Sequence, residues 1–152
     1  MDSGIRIEAQ GRAAPAGGLA VPAAGTAAPR AARIPDPCAL VIFGVSGDLT
    51  HRKLVPALYA LERQGLLPAG LAIVGVSRRP DNVHALRDSL RAALAPEPGG
   101  PVADEAVWAR LAARIHQVRG DVGDEATYGE LVGQLARLDG EGGTRGNRLY
   151  YL

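Results

Sequence analysis

From Asp36 onward the chain alternates short, unbroken apolar runs with longer stretches of helical periodicity. Ala39-Leu40-Val41-Ile42-Phe43 is continuous and rich in β-branched residues, as expected of a strand covered on both faces. Leu71-Ala72-Ile73-Val74-Gly75-Val76 is a second run of the same kind. Between them Leu54, Leu58 and Leu61 mark one face of a helix that ends near Gly65, and Pro56, which lacks an N–H and crowds the carbonyl of Arg52, predicts a kink or a restart within it. Two further helical patterns follow: Val83, Leu86, Leu90 and Leu94, then Val107, Trp108, Leu111 and Ile115, the second opened by Asp104 as N-cap. A weak strand over Ile115 to Arg119 leads into Gly120-Asp121-Val122-Gly123. Asp124 then caps an amphipathic helix with Tyr128, Leu131, Val132, Leu135 and Leu138 on one face. After the glycine-rich loop Gly140 to Gly146, Arg148-Leu149-Tyr150-Tyr151-Leu152 reads as another strand. The alternation predicts an α/β fold, a Rossmann-like parallel sheet with flanking helices. Because the sequence stops inside an apolar run, the sheet is expected to be incomplete at its C-terminal end, as in a truncated chain.

The first 35 residues break this pattern. Twenty of them are Ala, Gly or Pro, too few large apolar groups to offset the entropy of ordering, so residues 1–35 are expected to be a disordered N-terminal tail and residues 36–152 the domain. The tail has neither the apolar core of a secretory signal nor the serine content of a transit peptide. Its four arginines against Asp2 and Glu8 give it a charge of +2, which leaves the remaining 117 residues at −1. No basic stripe is visible on that part, which argues against a nucleic-acid partner. Apolar runs of a handful of residues fall far short of the roughly 18 that a membrane-spanning helix needs. The single cysteine, Cys38, cannot pair within the chain and points to a reducing compartment, most simply the cytoplasm.

Candidate chemistry sits directly after the first strand, in Gly44-Val45-Ser46-Gly47-Asp48-Leu49-Thr50-His51-Arg52-Lys53. A strand, a glycine-bearing turn and a helix N-terminus present backbone N–H groups and the helix dipole to an anion. Gly44 permits a tight turn, Gly47 lets a pyrophosphate approach without a Cβ in the way, and Ser46 adds a hydroxyl. The segment is no P-loop, since Asp48 follows Gly47, and its letters also suit an ordinary βα turn. The second strand adds context. Where an NAD enzyme places an acid for the ribose hydroxyls, Ser77 leads into Arg78-Arg79, whose guanidinium forks suit a 2′-phosphate and therefore NADP; two solvated arginines are the plainer alternative. The spacing from Gly44 to Arg78 exceeds the usual 20 or so residues and requires an extended first crossover.

Taken together, the stretch from Gly44 through Lys53 to Leu54-Val55-Pro56-Ala57-Leu58-Tyr59 resembles the opening motif of the glucose-6-phosphate dehydrogenase family. There Gly-Ala-Ser-Gly-Asp-Leu-Ala, a basic cluster and Leu-x-Pro-Ala-Leu-Tyr occur together. The resemblance continues through Gly65-Leu66-Leu67-Pro68, Ile73-Val74-Gly75-Val76-Ser77-Arg78, Arg119-Gly120-Asp121 and Asn147-Arg148-Leu149-Tyr150-Tyr151-Leu152, covering about residues 38–152. It implies a coenzyme-binding portion of an enzyme that oxidises glucose 6-phosphate to the lactone while reducing NADP. The implied NADP site is Gly44, Val45, Ser46, Gly47, Asp48, Leu49, Thr50 and His51, with Arg78 on the 2′-phosphate and Asp121, Val122 and Tyr151 nearer the adenine and nicotinamide halves. Lys53, the one lysine among sixteen arginines, matches the family lysine beside the sugar phosphate; a solvated helix lysine is the alternative. Val45 and Thr50 stand where alanine is common. His51, His84 and His116 do not match the family's catalytic histidine, so no catalytic residue and no metal site is expected in this chain. The full-length enzyme is expected to be a homo-oligomer, and this chain alone inactive. A stand-alone NADP-binding or interaction module is the competing reading.

Overall fold

In a computed structural model the described residues are 33–79, 81–95 and 102–152. Most of the expected tail lies outside them; Arg33 to Asp36 are exposed and irregular. Four strands, β1 (Ala39–Phe43), β2 (Ala72–Ser77), β3 (Ile115–Arg119) and β4 (Arg148–Tyr151), form one parallel sheet in the order β3-β2-β1-β4. This is the leading strand order of a doubly wound Rossmann-like sheet. The connections carry α1 (Val55–Arg63), α2 (Val83–Ala92), α3 (Glu105–Ala113) and α4 (Glu125–Gly142).

The two-residue alternation of each strand divides the core into two layers. Leu40 and Ile42 of β1, with Ile73 of β2 and Ile115 of β3, pack against Leu58, Leu86, Leu90, Trp108 and Leu111 from α1, α2 and α3. Ala39, Val41, Val74, Val76 and Val118 point the other way and meet Leu131, Leu135 and Leu138 of α4. Helices therefore cover both faces, which is why β1 and β2 read as continuous apolar runs. Asp104 and Asp124 cap α3 and α4 as expected, and Asn82, not singled out from the sequence, caps α2 by accepting the Ala85 N–H at 2.9 Å.

Pro56 acts as its missing N–H predicts, and three other helical details differ from the pattern. Pro56 restarts the first helix: a π-helical turn over Thr50–Leu54, in which the Val55 N–H donates to Thr50 O, precedes α1. Leu54 and Leu58 pack inward as the spacing predicts, but Val55 and Glu62 share that face and Leu61, at its edge, is 38% exposed. On α4 the buried face is Thr127, Leu131, Leu135 and Leu138; Tyr128 and Val132, a residue step of about 100° around the helix, are exposed. Thr127 occupies the inner face because Gly120 opposite it has no side chain, and a Cβ there would fall 2.0 Å from Thr127 Oγ1. Finally, α4 runs to Gly142 and ends on Gly143 in the left-handed region, so the glycine loop is shorter than its composition suggests.

Beyond the backbone, charges tie the elements together. Glu62 of α1 is buried and accepts Arg110 Nε at 3.1 Å, with Arg114 Nε at 3.5 Å. Asp139 near the end of α4 accepts from Arg148, Thr144 Oγ1 and the Gly146 N–H, which fixes the entry into β4. Among the described residues no helix is long and apolar enough to cross a membrane.

Candidate coenzyme site

The C-terminal ends of β1, β2 and β3 open into one cleft of about 980 Å³, at the upper end of the roughly 300–1,000 Å³ typical of small-molecule and cofactor sites. Gly44 ends β1 with φ +69°, a turn that an L side chain would strain. Its N–H donates to Val76 O at 2.8 Å, and that carbonyl also accepts the Val45 N–H at 3.3 Å, which locks the turn to β2. The chain then doubles back: the Gly47 N–H donates to Gly44 O at 2.8 Å, and a Cβ on Gly47 would stand only 3.0 Å from that oxygen. The helical course begins at Asp48, where the leading N–H groups have no partner within the helix.

The residues expected to bind coenzyme take different places in this arrangement. Gly44, Ser46, Arg78, Asp121 and Val122 line the cleft. Val45 and Thr50 do not: their side chains are buried, Val45 in the core beneath the turn. Gly47, Asp48 and Leu49 are exposed on the loop, and Asp48 pairs with Arg52 at 3.4 Å. His51 acts as a strut. Its Nδ1 is 2.9 Å from Gly47 O, which can only accept, so Nδ1 carries the hydrogen; Nε2 is 3.0 Å from Ser89 Oγ on α2. Lys53 is exposed on the π-helical turn, outside the cleft lining. Tyr151, the register partner of Ile42, sits at the end of β4, half-buried against the core.

The structure also gathers residues from segments far apart in sequence. Arg79, Asp81 and Asn82 enter the cleft from the stretch after β2, and Arg119 from the end of β3. Arg78 Nε lies 3.4 Å from Asp121 Oδ2, and Arg119 lies 3.3 Å from Asp81 Oδ1. Asp121 is held further by the Gly123 N–H at 2.9 Å. Ser77 Oγ donates to Arg79 O, and the Gly120 N–H to Ser77 O at 3.1 Å, which fastens the two strand ends side by side. Asp81 belongs to no local motif, and Arg119 stood out along the chain only within Arg119-Gly120-Asp121, with no sign that its side chain enters the cleft. Glycines at the turn, a helix start and arginines together provide a concave, donor-rich surface with room for a nucleotide and its phosphates.

Comparison with known proteins agrees with this geometry. Residues 41–152 match the family described as glucose-6-phosphate dehydrogenase, NAD binding domain. The chain is 40% identical over 116 residues to a glucose-6-phosphate 1-dehydrogenase of Chlamydia muridarum, covering 76% of this chain and 23% of that protein. It is 37% identical over 123 residues to glucose-6-phosphate 1-dehydrogenase 2 of Mycobacterium bovis, covering 81% of this chain and 24% of the relative. Among solved structures, a glucose-6-phosphate dehydrogenase in complex with its substrate glucose-6-phosphate aligns with TM-score 0.67 at 29% identity, over 77% of this chain and 24% of its own. The Mycobacterium avium enzyme aligns with TM-score 0.60 at 27% identity, over 76% of this chain and 29% of its own. The chain thus spans about a quarter of the length of these relatives. With a Rossmann-like sheet, a glycine turn at the head of its first crossover and a family match from the first strand to the last residue, the chain belongs to the glucose-6-phosphate dehydrogenase family, in its nicotinamide-coenzyme-binding domain.

Proposed function

We propose that this chain binds NADP as the coenzyme-binding part of a glucose-6-phosphate 1-dehydrogenase, the oxidoreductase that converts glucose 6-phosphate to its lactone. The observation that carries the choice of NADP is the end of β2, where Ser77-Arg78-Arg79 stand in place of a ribose-binding acid and both arginines line the cleft beside Gly44. A 2′-phosphate gains charge-assisted bonds from a guanidinium that a ribose hydroxyl does not. When bound, the coenzyme supplies the hydride acceptor. The chain's own residues hold and orient it: Gly44 and Gly47 set the turn, Ser46 offers a hydroxyl, Arg78 takes the phosphate, and Asp121, Val122 and Tyr151 flank the two halves. Val45, Thr50 and His51 support the loop from beneath and behind. Lys53 is assigned to the sugar phosphate.

Proton removal from the sugar is not assigned to this chain. His51 is engaged with Gly47 and Ser89, His84 is exposed on α2, and His116 lies within β3. Calorimetric titration of the 152-residue chain with NADP+ and NAD+ tests the reading. Preference for NADP+, reduced at least about 10-fold by Arg78→Gln, supports it, and equal affinity for the two coenzymes overturns it. NADPH formation from glucose 6-phosphate above that of a Lys53→Ala chain would overturn the assignment of catalysis to residues outside this chain.

A further inference from the structure

We propose that Arg119 is a second guanidinium for the coenzyme's 2′-phosphate and that Asp81 is the carboxylate it leaves to take that role; the inference rests on the NADP reading above. Arg119 is the last residue of β3 and the register partner of Ser77, so it enters the cleft on the strand next to the one that delivers Arg78. The four charges are cross-paired. Arg78, just after β2, meets Asp121 in the loop after β3, while Arg119 at the end of β3 meets Asp81 in the loop after β2. Each loop therefore supplies the counterion for the other strand's arginine.

The two pairs are not equivalent. Asp121 is anchored by the Gly123 N–H and begins the turn that leads to the Asp124 cap, so its position is set by backbone. Asp81 has its side chain 80% exposed, and the Arg119 side chain is 63% exposed. An exposed ion pair of this kind is worth at most about 1 kcal/mol, whereas a phosphate offers several acceptor oxygens and up to two charges in the same space. Exchange of Asp81 for a 2′-phosphate is therefore downhill, and exchange for a ribose hydroxyl, which brings no charge, is not. Arg119 raises the preference for the phosphorylated coenzyme, and Asp81 tempers it.

The test is the ratio of NADP+ to NAD+ affinity in the 152-residue chain, measured for Arg119→Gln, Arg119→Lys, Asp81→Asn and Arg78→Gln. Arg119→Gln is expected to weaken NADP+ by about 10-fold and NAD+ by less than about 2-fold, with Arg119→Lys in between because it keeps the charge and loses the fork. Asp81→Asn is expected to strengthen NADP+ by about 3-fold at low salt and to leave NAD+ unchanged. Unaltered NAD+ affinity shows that each variant is folded. Equal losses for both coenzymes with Arg119→Gln, or no change in NADP+, overturn the proposal. A loss with Arg78→Gln but none with Arg119→Gln overturns this inference alone; no loss with either overturns the NADP reading together with it.

Discussion

Val45 fills the space that a side chain at Gly75 would need, since a Cβ at that glycine would stand 2.8 Å from Val45 Cγ1 and 2.9 Å from Cγ2. Val45 is fully buried, and its loop is bonded to β2 through Val76 O. The glycine in the second strand and the valine in the first turn are thus one packing unit, and the height of the turn after β1 over the sheet depends on it.

Gly75→Ala is therefore expected to destabilise the fold by about 1–3 kcal/mol through overpacking. Val45→Ala in the same chain should recover part of that loss, giving a favourable coupling in a double-mutant cycle. Urea unfolding of the four chains measures it. Strict additivity of the two losses would show that the contact is not what fixes the loop.

Glu62 offers a second test. Its carboxylate is buried between α1 and α3, with Arg110 and Arg114 on it. Glu62→Gln keeps the shape but removes the charge opposite both guanidinium groups, and Arg114 retains Pro68 O at 2.7 Å and Ala69 O at 3.2 Å. A loss of about 1–3 kcal/mol is expected, smaller than for a buried pair with no other acceptors, read as a lowered urea midpoint with an unchanged slope.

Acid should act through Asp139. Hydrogen bonds from Arg148, then Thr144 and the Gly146 N–H, hold its carboxyl far below the ordinary carboxylate value of 3.8. A group whose pKa is depressed by folding stabilises the fold above its unfolded pKa and loses that contribution as pH falls toward its folded value. Asp139→Asn is thus expected to lower the thermal midpoint most above about pH 5, with the gap to the parent chain closing as the pH falls through 4 and below. A gap independent of pH between 3 and 7 would remove the carboxylate from the stability of β4.

Much of this was legible along the chain. The β1 and β2 runs, the caps at Asp104 and Asp124, the start of a strand at Ile115 and the glycine turn after Phe43 are all local, and the strands are where the pattern placed them. Helical faces were right at their centres and wrong at their edges. Leu54, Leu58, Leu131, Leu135 and Leu138 pack inward, whereas Leu61, Tyr128 and Val132 are exposed and Thr127, set against Gly120, is buried, a contact not written in the periodicity of its own segment. The same limit applies to the loop: Val45 buried beside exposed Ser46 follows side-chain character, but Thr50 is buried while its apolar neighbour Leu49 is exposed, the reverse of what their identities suggest.

Sequence alone determined the class of fold, the place of the glycine turn after β1 and the basic end of the second strand, because alternation, glycine and arginine act through the nearest few residues. Tertiary structure decided which charges meet. Strand order β3-β2-β1-β4 sets Arg119 beside Ser77 and closes Arg78 on Asp121 and Arg119 on Asp81, pairings between residues about 40 positions apart that exist only once the parallel sheet has brought its strand ends together.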